Sequence, residues 1–103
     1  MYYQEALSLQ RSASRLNSLA WFLIDNDRNI NEGLKFVNEA LELRPDNYGF
    51  LDTKGWGLYK QGNLEEALEI LQKSWDLRMK NAVYNHTAYL HLDAAKKSLA
   101  TQN

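Results

Sequence analysis

The sequence specifies an all-α chain of about six antiparallel helices, stacked as hairpins. One helix end recurs every 34 residues, and the apolar residues follow helical rather than strand spacing. Breakers are scarce, with one proline and five glycines in 103 residues, which agrees with mostly helical structure.

The recurrence is seen by direct alignment. Glu39-Ala40-Leu41-Glu42-Leu43-Arg44 matches Lys73-Ser74-Trp75-Asp76-Leu77-Arg78, 34 residues later. The same step backward carries Ala40 to Ala6, inside Glu5-Ala6-Leu7-Ser8-Leu9-Gln10. A second segment repeats at 35: Leu19-Ala20-Trp21-Phe22-Leu23 matches Lys54-Gly55-Trp56-Gly57-Leu58. The earlier copy therefore holds one extra residue between its helices, in Asp25-Asn26-Asp27-Arg28-Asn29, where a surface turn tolerates it.

Taken in order, the helices fall near 2–9, 14–26, 30–43, 48–61, 64–77 and 82–99. The third carries Ile30, Leu34, Val37, Ala40 and Leu41 on one stripe, and Asn29 with Glu32 forms a capping box at its start. Asn47, after Pro45-Asp46, caps the fourth, and Gly62 supplies the left-handed residue that ends it. Leu64, Ala67, Leu68, Leu71 and Trp75 make the fifth amphipathic, with Asn63 and Glu66 as a second capping pair. The last carries Tyr84, Ala88, Leu92, Ala95 and Leu99 on one stripe, with Lys96-Lys97 near its end complementing the helix dipole. Ala20, Ala40, Gly55 and Ala67 are small where helices must approach closely.

The chain reads as one domain over 1–103. Residues 14–46 and 47–80 form two repeats, and 82–100 forms a closing helix. Residues 2–9 read as the second helix of an upstream repeat whose first helix is missing, so the chain is expected to be a fragment of a longer protein. Tyr3 and Leu7 would then expose an apolar face suited to self-association.

These residues resemble the tetratricopeptide repeat (TPR) over nearly the whole chain. Gly55, Leu58, Tyr59, Lys60-Gln61-Gly62, Glu66-Ala67, Leu71 and Ser74 resemble one motif. Leu16, Leu19, Ala20, Leu23, Gly33, Val37, Ala40 and Pro45 resemble the copy before it. Two positions depart: Lys54 replaces a large apolar residue, and Met79 replaces the usual terminal proline. Asp52-Thr53-Lys54-Gly55-Trp56-Gly57-Leu58-Tyr59, followed by Tyr84-Asn85-His86, is similar to the C-terminal repeats of bacterial TPR proteins. The resemblance implies a right-handed α-solenoid and a non-catalytic scaffold that holds a protein or peptide segment in its concave groove.

The same resemblance assigns the first helix of each hairpin to the groove. That gives a polar row of Asn17, Asp52 and Asn85, an aromatic row of Trp21, Trp56 and Tyr89, and an apolar row of Ile24, Tyr59 and Leu92. Stiff aromatic rings offer contact area, while Asn and Asp can bond a ligand backbone. Aromatic residues at this spacing serve a hydrophobic core equally well, so both roles stay open. An aromatic row could also take a glycan or other small ligand in a closed pocket. The cationic clamp by which some TPR domains hold acidic chaperone tails is missing, because its places hold Asn17, Trp21, Thr53, Ala82 and His86.

Composition narrows the remaining classes. Twelve basic and 13 acidic residues are spread along the chain for a net charge of −1, so nothing forms the basic stripe a nucleic-acid backbone requires. No stretch reaches the roughly 18 continuous apolar residues of a membrane span, so no direct insertion is expected. Cysteine is absent. His86 and His91, five apart on a helix, diverge by about 140° and do not share a metal. Ser12, Ser14 and Ser18 lack a nearby histidine, Asp25 and Asp27 are too few for a calcium loop, and no phosphate-binding glycine loop occurs. Neither catalysis nor a cofactor is expected.

Overall fold

A computed structural model describes the backbone of residues 2–102 and the side chains of residues 12–102. Those residues form five helices: α1 (Tyr2–Asp25), α2 (Ile30–Leu43), α3 (Tyr48–Gln61), α4 (Leu64–Lys80) and α5 (His86–Gln102).

The count is five rather than six because the two helices expected at 2–9 and 14–26 are continuous. Gln10-Arg11-Ser12-Ala13 holds neither Gly nor Pro, so nothing interrupts the backbone ladder. Ala13, the last residue of the expected break, is fully buried. The apolar face expected from Tyr3 and Leu7 lies outside the described side chains.

Local sequence sets the remaining boundaries. The extra residue of the first turn is accommodated at Asp27, which adopts φ 53°, and the Arg28 N–H returns to the Leu23 carbonyl at 2.9 Å. Asn29 caps α2 by accepting from the Glu32 N–H at 3.0 Å, while its amide donates to the Glu32 carboxylate at 3.1 Å. Asn47 caps α3 through the Phe50 N–H at 3.1 Å. Gly62 ends α3 at φ 89°, and the Asn63 N–H reaches back to the Leu58 carbonyl at 3.0 Å, a Schellman closure.

Three expectations at the C-terminal end are corrected. Asn63 makes no side-chain cap on α4; its amide donates to Gln61 instead. α4 continues to Lys80, past the expected end at 77, because Met79 stands where a proline would stop it. α5 then begins at His86 rather than 82, after Ala82 turns the chain with φ 56° and Asn85 accepts from the Ala88 N–H at 2.9 Å. Lys96 and Lys97 consequently fall short of the last turn of α5. Lys97 pairs with Asp93 at 2.9 Å, and that hydrogen bond and charge hold its ammonium pKa above the usual value.

The helices stack in two layers. α1 packs on α2 and α3 on α4 as hairpins, while α1 touches α3 and α3 touches α5. The principal extents, 54 × 32 × 19 Å, are thin in one direction, as two helix layers about 8–10 Å apart require. The core lies between the layers. Ala13, Ala20, Ile24, Leu34, Val37, Ala40, Phe50, Leu58 and Ala67 form one buried cluster; Leu71, Leu92 and Ala95 form a second. Each large buried side chain contributes roughly 1.5–3 kcal/mol. Small residues set the spacing, since a methyl at Gly55 would stand 2.5 Å from the Leu71 side chain. At the opposite end of the second hairpin, the Ser74 hydroxyl donates to the Tyr48 carbonyl at 2.7 Å, and the Arg78 guanidinium stands 4.7 Å above the Tyr48 ring. These two contacts tie the end of α4 to the start of α3.

Candidate partner-binding face

The layer formed by α1, α3 and α5 brings one ring from each helix together. Trp56 of α3 stacks on His91 of α5 with centroids 4.1 Å apart and planes 16° apart. Trp21 of α1 stands 5.6 Å from the same imidazole. Tyr59 also stacks on Trp56, with centroids 4.8 Å apart, and its hydroxyl meets Ser98 of α5 at 3.2 Å. Trp21, Trp56 and Tyr59 are half-buried, so these rings pack and still retain open surface.

A polar pair fixes the centre of the cluster. His91 Nδ1 lies 2.9 Å from Asp52 Oδ2, and both residues are buried, at 5% and 7% exposure. A carboxylate only accepts, so Nδ1 carries the proton and Nε2 is the ring's other polar atom. Asp52 Oδ1, Asn17 Oδ1 and Trp56 Nε1 are sealed from solvent without a protein partner among the described residues. Such atoms are rare in folded proteins, because each unpaired polar atom costs about 1–3 kcal/mol. Lys60 borders the site, with Nζ 5.7 Å from the Trp56 ring. Its charge is already engaged by the carbonyls of Ile24 and Asp25, each at 3.0 Å, and by Asp27 at 3.1 Å.

The nine residues expected to line the groove separate into four groups. Trp21, Trp56 and Tyr59 gather in the ring cluster, with Asp52 held to it through His91. Asn17 is half-buried one turn before Trp21 on the same face of α1. Ile24 and Leu92 lie within the core, at 0% and 5% exposure. Asn85 is exposed and caps α5, while Tyr89, 45% exposed, lies beside Trp75 and His86, with centroids 6.0 and 6.1 Å away. Asn85 and Tyr89 therefore stand apart from the ring cluster.

The residue that takes Tyr89's expected place is His91. Its sequence signal is the spacing: Trp21, Trp56 and His91 are each 35 residues apart. Counting from Asn85 instead places the third ring two residues too early. His86, the other histidine, meets the Tyr84 hydroxyl at 3.1 Å on the exposed side of α5.

Repeated helix hairpins with small residues at their contacts, arranged in two layers, are the architecture of a TPR-type helical repeat. A protein of Pseudomonas aeruginosa described as TPR repeat-containing is 33% identical to this chain over 63 residues, which are 61% of the chain and 11% of that protein. The match thus spans about a tenth of the relative's length. No protein-family model matches the chain.

Proposed function

We propose that the chain is a non-catalytic interaction scaffold whose inner helices, α1, α3 and α5, bind a peptide or protein segment. The observation that carries this reading is the cluster of Trp21, Trp56, Tyr59 and His91, drawn from three helices and left partly open. Half-buried aromatic rings give large, stiff contact area at little entropic cost, the usual character of binding hot spots. TPR-repeat similarity supports protein partners in general, and no described helix is long and apolar enough to cross a membrane. In the same reading, 14–46 and 47–80 act as repeat units and α5 closes them.

Trp21 offers the cleaner test, because Trp56 also packs against the core. Trp21→Ala is expected to weaken binding of a partner segment at least tenfold, about 1.4 kcal/mol, while the melting temperature falls by only a few degrees. Titration calorimetry and thermal melts on the same protein check both. Unchanged affinity would remove the ring row from the interface.

Self-association is a second reading, favoured by Leu19 and Phe22 of α1, which are 44% and 51% exposed. Sedimentation equilibrium distinguishes it. A mass of 12.0 kDa at all concentrations is expected if this face does not pair copies.

A further inference from the structure

α5 is held differently from the other four helices. α1 and α3 each receive the second helix of a hairpin along the side that carries Ala20 and Gly55. A methyl on Gly33 would stand 3.0 Å from the Ala20 carbonyl, and one on Gly55 2.5 Å from the Leu71 side chain. The same 35-residue step reaches Leu90 on α5, which is bulky and 49% exposed. No described helix pairs with α5 along that side, so it docks through its other side alone. The docked side buries Ala88, His91, Leu92 and Ala95, of which only Leu92 is a large aliphatic residue. Among the described residues its polar ties to α3 are His91 to Asp52 and Ser98 to Tyr59, while the Lys97–Asp93 pair stays within α5.

Two features of the docked state oppose it. Ala82, in the 81–85 turn that joins α5 to α4, is held at φ 56°, a left-handed conformation that its Cβ disfavours. On the α3 residues that His91 touches, Asp52 Oδ1 and Trp56 Nε1 are sealed from solvent without a protein partner, so docking costs them their hydration. The larger buried cluster, from Ala13 to Ala67, lies wholly within α1–α4 and does not need α5. A 17-residue helix is marginal in water without its docked face, so release of α5 also unfolds it.

We infer that α5 is a releasable lid: it lifts as a unit about the 81–85 turn while α1–α4 stay folded, and uncovers Trp21, Trp56 and Asp52. Openings of this kind draw on the element of a fold with the fewest buried apolar contacts. In the closed state His91 fills the space between the two indoles. Lifting turns a plugged ring pair into an open one, so a segment that reaches those ring faces competes with α5 for them. That competition rests on the binding role proposed for the same face; the lifting itself does not.

Hydrogen exchange of the full chain, followed residue by residue by NMR, tests this. The α5 amides from Leu92 to Leu99 are expected to share one opening and to exchange at least about 100-fold faster than those of Val37 and Leu58. The Trp56 indole N–H, sealed in the closed state, should exchange in step with α5 rather than with the α3 amides. Leu92→Ala should speed the α5 set at least about tenfold further, or abolish its protection, and leave α1 and α2 unchanged. Protection of α5 equal to that of α3 would overturn the inference. Graded fraying from Gln102 that leaves His91 to Ala95 as protected as α3 would do so too. Equal acceleration of α3 and α5 by Leu92→Ala would show a single cooperative unit and no lid. If α5 lifts as described but Trp21→Ala keeps full partner affinity, the lid stands and the binding role of the face falls.

Discussion

His91→Ala is expected to lower the unfolding free energy by about 3 kcal/mol and the melting temperature by more than about 10 °C. The substitution deletes the partner of a carboxylate that is 7% exposed, leaving both Asp52 oxygens buried without a protein donor. It also removes the ring that Trp56 and Trp21 pack against. The two contributions separate in a double-mutant cycle. Adding Asp52→Ala to His91→Ala should cost much less than the sum of the single changes, because no buried charge then remains unpaired. Chemical denaturation of the four proteins checks this, and strict additivity would mean that the pair contributes little.

Ile24→Ala is expected to cost about 3–4 kcal/mol. Ile24 is fully buried, and its side chain fills the space against Gly33, where a methyl would stand 2.7 Å from Ile24 Cγ1. It also reaches Gly57, linking α1, α2 and α3 at one point. Measured well below its lowered melting temperature, the variant should keep the partner affinity of the parent chain, as expected of a residue inside the core. A loss of affinity with intact stability would return Ile24 to the binding row.

Where the sequence contained an explicit stop or start signal, the helices follow it. Asn29, Asn47 and Gly62 fix α2 and α3 at the expected residues, since each supplies a side-chain acceptor or a left-handed conformation at one position only. Boundaries without such a signal moved. Residues 10–13 read as a break only because a repeat was expected to end there, and unbroken helical propensity prevailed. Met79 in place of proline let α4 run three residues further, which displaced the start of α5.

The same displacement limited the site. Trp21, Trp56 and Tyr59 were legible because the two earlier copies are spaced by 35 residues without ambiguity. The third member depended on the α4–α5 connection, whose length was misjudged, so Tyr89 was expected where His91 stands. A histidine is also a weak sequence signal alone, since its role here is defined by Asp52, 39 residues away. The sealed oxygens of Asn17 and Asp52 had no sequence signature, because whether a polar atom is paired depends on packing.

The proposed interface depends on one arrangement: α1, α3 and α5 delivering Trp21, Trp56 and His91 to a shared face at equal spacing. Nuclear Overhauser contacts from the His91 imidazole protons test it most directly. Cross-peaks to both the Trp21 and Trp56 indoles are predicted, with the Tyr89 ring instead contacting Trp75. Contacts from Tyr89 to Trp21 or Trp56, with His91 silent, would contradict the register and the face built on it.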